Sequence, residues 1–469
     1  MMRALFSGVS GLKVHQTKMD VIGNNIANVN TVGFKSSSVR FSDVFYQTTQ
    51  SATGANEVTG SAGRNATQIG LGSSVNAVYS SIAMPGGSER TDNPLDIMIK
   101  GDAFFIVNNG GPNYFTRAGS FTIDSAGNLC NYSGYNVMGW QVDKTTGSIV
   151  VDTVKPLQIM APENLYSPPK ATTASTISGS INRSDEALKA DKGGRMCQIE
   201  FYDALGYKYN AKIKVTQLAS PTDGTQYSIT LDDILESSEG KNASGKSILT
   251  SLAGTDITFG GATYKIDENG KLSAPDKPVV LKFSPKDGSF VSVDDNEQGI
   301  ATLTIDGPAF RPLDLHFSSL TMSGKDGTNG NSAIGSDRGD PKGNGAGRRA
   351  GEMIGVSVDT SGKIFGSYDN GDEILLGQIA VTTFNNPAGL EAIGDNLYAQ
   401  SQNSGQFDGI GEDPTAGGGG LNTGVLEMSN VDLSTEFTQM ITTQRGFQAN
   451  SRIITTSDTM LEELINLKR

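Results

Sequence analysis

The chain has 469 residues, and its 50 acidic against 37 basic side chains give a formal net charge of −13, which excludes a surface built to neutralise phosphate, because nucleic-acid binding draws on clustered Lys and Arg. Fifty-eight glycines and only 7 % aromatic residues point to many turns and short strands, and away from a doubly wound enzyme whose parallel strands would read as continuous apolar runs. With two histidines and two cysteines in all, and no nucleophile-elbow or CxxC context around them, there is almost nothing from which to build a catalytic triad or a zinc site, so we expect no enzyme activity, no cofactor and no metal.

The N-terminus, MMRALFSGVSGLKVHQTKMD, has no uninterrupted apolar run and no small-residue cleavage site, so no cleaved secretory signal is expected, and no stretch approaches the ~20 apolar residues of a membrane span. From Ala4 to about Asn28 no proline interrupts a helical pattern in which Leu5, Leu12, Met19 and Ile26 fall seven residues apart, with Val9 between them. This predicts a helix with one apolar rail, with His15 on its flank. The polar segment from Ser36 to about Val75 reads as an extended or partly disordered connection. Residues 80 to 142 carry short strand signals separated by Gly, Asn or Asp turns, which predict antiparallel β structure. Further strand signals between 146 and 312 form a second β module.

A glycine-rich stretch from Ser318 to Gly351 then reads as an exposed loop. Its GNGAGRRAG lacks the Lys-Ser/Thr of a phosphate loop, and the Asp326 to Asp340 run lacks calcium-loop spacing. From Met353 to about Asn403 strands return, able to complete the sheet begun near residue 80. From Asp432 onward Leu433, Met440, Phe447, Ile454 and Leu461 make a second strict seven-residue rail, beside a mixed rail of Phe437, Gln444, Ser451, Asp458 and Ile465. Helices with one apolar rail cannot bury themselves as an isolated two-stranded coiled coil, where both core positions are normally apolar. The two ends are therefore expected to pair with each other and then with further copies. The expected fold is mainly β and multidomain with nested insertions: terminal helices forming a coiled-coil-like inner domain (1–75 and 421–469), an inner β domain (76–145 and 313–420) and an outer β domain (146–312).

The run from Met19 to Lys35, MDVIGNNIANVNTVGFK, resembles the signature of the flagellar rod, hook and hook-associated axial proteins. Asn24, Asn25, Asn28 and Asn30 are placed to bond the orphan backbone groups of the last helical turn, Gly33 permits a left-handed exit, and Phe34 follows it. Val32 stands where many relatives carry proline. Asp92 to Phe105, Tyr114 to Phe121, Gly371 to Leu390, Gly424 to Leu433 and Gln444 to Asn450 also resemble the family, and Phe201 to Gly206 resembles the outer domain of its hook members. The resemblance implies a structural subunit that builds a helical tube from many copies of itself, the terminal helices lining the bore, and that acts as a universal joint carrying motor torque to the filament. The long middle insertion favours a hook protein, with a distal rod protein as the alternative. Implied partners are rod, hook cap and hook-filament junction proteins and the type III export apparatus, with an extracellular location reached without signal cleavage. In some hook proteins a cysteine of the outer domain becomes joined to a lysine of a neighbouring subunit. Cys197 with Lys189 or Lys192 is the candidate here, against a simple packed thiol, while Cys130 reads as a buried structural thiol.

Overall fold

The computed structural model describes residues 2–54, 60, 62–143, 145–218, 225–237, 245–275, 277–324 and 330–467. The protein is mainly β, with two long helices at its ends: α1 (Met2–Ala27) and α2 (Leu433–Asn466). No proline falls in either. Asp432 caps α2 by accepting from the Ser434 amide at 2.9 Å and the Thr435 hydroxyl at 2.8 Å, which satisfies donors that the first turn leaves orphaned. The helices pack antiparallel, since Gly8 faces Ile454, Gly11 faces Asn450, His15 faces Gly446 and Asn25 bonds Glu436. The last turns of α2 therefore run past the start of α1.

The polar connection after α1 is not an irregular tether. Ser37–Asp43 pairs with Ser73–Ser80, and Tyr46–Gln50 with Thr67–Gly70, as antiparallel two-stranded ribbons. The first ribbon lies along α1, with the Phe41 ring edge-on to His15 at 6.1 Å. Thr and Gln dominate the second ribbon, whose residues are all exposed, and in the first ribbon Ser is as frequent as the apolar residues, so a clean hydrophobic alternation is missing from both.

The chain divides into two compact units. Unit 1 comprises 1–164, 355–367 and 373–469, and unit 2 comprises 165–354 and 368–372. The β module of unit 1 contains, in hydrogen-bonded order, Glu373–Ile379, Asn136–Gln141, Phe104–Asn108, Asn113–Thr116, Leu397–Ala399 and Glu391–Gly394. Alternate residues of Phe104–Asn108 feed two cores, Phe105 and Val107 one, Phe104 and Ile106 the other, as side-chain alternation along a strand requires. Two short pairings bring in the chain's end: Gly420–Thr423 on Ile97–Lys100 and Val425–Glu427 on Ser88–Arg90.

Unit 2 has a six-stranded sheet (Ala262–Lys265, Asp256–Phe259, Ile300–Ile305, Leu313–Ser323, Ala174–Asn182, Ala333–Arg338) and a five-stranded one (Arg195–Tyr202, Lys208–Gln217, Gln226–Glu236, Val279–Phe283, Phe290–Val293). Their inner residues, among them Ile199, Phe201, Tyr227, Leu281, Leu315 and Phe317, form one core. Leu313–Ser323 runs parallel to Ala174–Asn182. The short return segment 368–372 supplies Asp372, which accepts from the Ser167 hydroxyl at 2.9 Å and pairs with Arg348 at 2.5 Å.

The glycine-rich stretch is only partly loop. Ala333–Arg338 is a strand that pairs with Ala174–Asn182, and residues 325–329, including Asp326, lie outside the described residues. The Asp340 carboxylate is occupied by its own turn, accepting from the amides of Lys342 and Asn344. The same Asp-x-x-Gly-x turn recurs at Asp124, Asp203, Asp267 and Asp359, whose carboxylates take the amides two and four residues on. An Asp at this position replaces the missing ladder bonds of a tight hairpin, so these carboxylates are turn-formers.

Candidate assembly surface and its anchorage

Where the terminal helices touch, the contacts run through Gly8, Gly11, His15 and Asn25 of α1 against Ile454, Asn450, Gly446 and Glu436 of α2. On α1 the buried residues are Gly8, Gly11, Val14, Ile22 and Asn25, and on α2 they are Glu436, Thr443 and Ser457. The α2 set is strictly heptad-spaced, and on α1 Gly8 with Ile22 and Gly11 with Asn25 repeat at two heptad positions while Val14 lies beside them, so each helix presents one stripe. A Cβ on Gly11 would fall 2.6 Å from the Asn450 amide nitrogen, and one on Gly446 would fall 2.7 Å from the His15 ring. The glycines thus set how closely the backbones approach. His15 lies in the seam, and burial, then the neighbouring Lys18 charge, holds its imidazole below 6.5.

The expected rails sit beside this seam. Leu5, Leu12, Met19 and Ile26 are half-buried, as are Met440, Ile454 and Leu461, while Leu433 and Phe447 are exposed. Ile454 packs against the seam glycine Gly8. The hydrophobic surface left bare is large. Phe6 and Val9 on α1 are exposed, as are Phe437 (50 %), Ile441 (59 %), Ile453, Met460 and Leu464 on α2. Phe437 and Ile441 share one face by their four-residue spacing, and so do Met460 and Leu464.

Where the helices meet the β module, three sequence motifs converge. Asn25 does not cap its own helix. Its amide donates to the Ser37 carbonyl and to Glu436 Oε1, and its oxygen accepts from the Ser37 amide, tying α1, the ribbon and α2 together. Asn28 does bond back, to the Asn24 carbonyl at 2.9 Å, whereas Asn24 and Asn30 are exposed. Gly33 adopts φ 71°, and its amide donates to the Glu427 carbonyl at 2.7 Å. The Phe34 carbonyl accepts from the Asn430 amide.

Next to it lies a charge cluster that reading residues by type alone would have left on the surface. The side chains of Lys35 and Glu427 are 0 % exposed and that of Arg117 is 1 % exposed. Lys35 Nζ donates to Glu427 Oε1 at 2.6 Å and to the Met84 carbonyl at 2.7 Å. The Gly86 amide also donates to Glu427 Oε1, at 3.0 Å. Arg117 Nη1 donates to the Gly101 carbonyl, stands 3.8 Å from Glu427 Oε2, and its guanidinium stacks on Phe104. Burial lowers the affinity of both cations for their protons, Glu427 opposing the shift in each. Lys35 closes the first family motif, Arg117 sits in Thr-Arg-Ala-Gly, and Glu427 in Gly-Val-Leu-Glu. That a charged residue stood inside each of three separate motif segments was the available signal.

Cys197 is 3 % exposed on the strand Arg195–Tyr202, and burial pushes its thiol up to about 11, while Lys189 and Lys192 are on the surface, Lys189 3.7 Å from Glu186. Within the single folded chain this is a packed thiol, protonated and shielded from a lysine attacking from solvent. Among the described residues no group of three His, Cys, Asp or Glu is placed to hold a metal ion, and no helix is long and apolar enough to cross a membrane.

Comparison with known proteins matches three segments to family profiles: residues 5–35 to "Flagella basal body rod protein", 98–180 to "Flagellar hook protein FlgE/F/G D1 domain" and 422–467 to "Flagellar basal body rod FlgEFG protein C-terminal". The chain is similar over its full length to the flagellar hook protein FlgE of Treponema pallidum, at 34 % identity with all of both chains covered. It is equally similar to that of Borreliella burgdorferi, again 34 % identical over the whole of both chains. The flagellar basal-body rod protein FlgG of Bacillus subtilis is 29 % identical, also across the whole of both chains.

Proposed function

From the premise that the chain belongs to the flagellar hook and rod axial protein family, a structural and non-enzymatic one, we propose that it is the subunit of the hook: many copies form a curved helical tube that works as a universal joint between motor and filament. The observation that carries this reading is the helix pair itself. Its intramolecular seam buries glycines and polar residues beside only a few apolar ones and leaves Phe6, Val9, Phe437, Ile441, Met460 and Leu464 bare. Apolar side chains on both helices are thereby free to bury against neighbouring copies, which supports terminal segments (1–75 and 421–469) lining the bore and the β regions outward of them. The rails named above, Leu5 to Ile26 and Leu433 to Leu461, border those bare faces and would be covered in the same contacts. Rod, cap and junction proteins and the export apparatus are the further partners this role entails, and the site of action is the extracellular flagellum.

Electron microscopy of the purified chain beside a Phe437→Ser/Ile441→Ser variant tests the reading. Curved tubes from the parent chain, and folded monomers from the variant, are expected. Straight, stiff rods would instead favour the distal rod reading, which the full-length similarity to a rod protein keeps in play. If the variant polymerises as readily as the parent, the assembly surface is elsewhere.

A further inference from the structure

The Lys35, Arg117 and Glu427 cluster joins three fully buried charges, two of them 392 positions apart, in a site that none of them can occupy alone. A buried charge without its partner is strongly unfavourable, whereas a buried pair that is kept intact costs little net. Lys35 and Arg117 are both buried and meet the carboxylate of Glu427, which also takes the Gly86 amide, while the exposed Asp102 acts on both cations only through space. The residues leading up to Glu427 supply the partners of two short strands: Gly420–Thr423 pairs with Ile97–Lys100, whose Ile97 and Ile99 are fully buried, and Val425–Glu427 pairs with Ser88–Arg90. Asn430 then accepts from the Ser36 amide and donates to the Ser81 carbonyl.

We infer that this three-charge cluster is a closure lock, which lets unit 1 complete only when the C-terminal segment 420–430 has arrived in one register. The order of synthesis gives the lock its consequence. Both cations and the 97–100 strand are made early and Glu427 near the end, so an incomplete chain holds two cations that cannot be buried and a strand without its neighbour. The β module of a partly made or partly translocated chain stays open. The lock belongs to the single chain and stands whether or not copies of it build a hook.

Hydrogen exchange on the full chain tests it. Glu427→Gln keeps the shape of the side chain and removes its charge, and it should accelerate amide exchange in 33–37, 84–90 and 420–428 by about 100-fold or more, leaving 313–323 of unit 2 unchanged. The triple variant K35M/R117M/E427L, which removes the charges together, should return those segments to within about tenfold of the parent. In refolding with pulse labelling, 97–100 should gain protection in the same phase as 420–423. Unchanged exchange in Glu427→Gln, or protection of 97–100 ahead of 420–423, overturns the inference. Should Glu427→Gln fail to fold, a folded triple variant supports the lock and an unfolded one refutes it.

Discussion

Replacing Gly33 by alanine isolates the cost of the turn that joins α1 to the β module. At φ 71° an L-residue costs roughly 1–2 kcal/mol relative to glycine. The new Cβ would stand 2.8 Å from the Ala118 nitrogen and 3.0 Å from the Arg117 carbonyl carbon, both backbone atoms with no rotamer by which to retreat, and overpacking of this kind costs a further ~1–3 kcal/mol. Together the loss is about 3 kcal/mol, concentrated in unit 1. Gly23→Ala is the matched control: it lies within α1 with nothing inside 4 Å of its Cβ, so it should gain ~0.5–1 kcal/mol. Chemical denaturation followed by Trp140 fluorescence reads the difference, because this single tryptophan of the chain is buried in unit 1, its indole donating to the Asp152 and Ile410 carbonyls. If Gly33→Ala unfolds at the same denaturant concentration as Gly23→Ala, the turn is not strained and the geometry argued for the junction is wrong.

His15 titrates below 6.5 in the folded chain, so the unfolded chain binds its proton more readily, and the helix pair loses stability as pH falls through the unfolded value of about 6.5; thermal melts by circular dichroism should show that loss in the parent and a flatter profile in His15→Gln. Cys197, its thiol pushed up to about 11, should react with iodoacetamide at neutral pH far more slowly in the native chain than in urea, whereas equal rates would show that the outer strand opens readily. If Gln444 and Ser451 lie where subunits slide past each other, converting both to leucine should stiffen the tubes, measured as persistence length in micrographs, and unchanged stiffness would remove them from the sliding surface.

The helices were legible because their period is local, yet the seam within them was not. Hydrophobic spacing shows which faces of a helix can be buried, and Leu5, Leu12, Met19 and Ile26 satisfied it. The face used inside the chain is the one with Gly8 and Gly11, where removing side chains lets backbones approach. On α2 the buried polar stripe of Glu436, Thr443 and Ser457 lies one residue before the mixed rail of Phe437, Gln444 and Asp458, a shift that periodicity alone does not resolve. The ribbons at 37–80 escaped because neither carries a clean apolar alternation. Leu313–Ser323 against Ala174–Asn182 leaves no local trace either, since a parallel pairing is specified by residues far apart in the chain. Lys35, Arg117 and Glu427 went unnoticed for the opposite reason: charged residues are almost never fully buried, so type alone argues for solvent.

The short return of the chain at 368–372 bears on how such a protein can be re-engineered or can diversify. Exchanging residues 165–354 for a foreign insert would treat unit 2 as a cassette with two ends. Yet Asp372, which answers both Ser167 and Arg348, is encoded outside that span. A graft that carries 165–354 alone leaves its own Arg348 facing a hairpin from another lineage, so viable chimeras should come from transplanting both stretches, and recombination between lineages should succeed more often where the two pieces travel together.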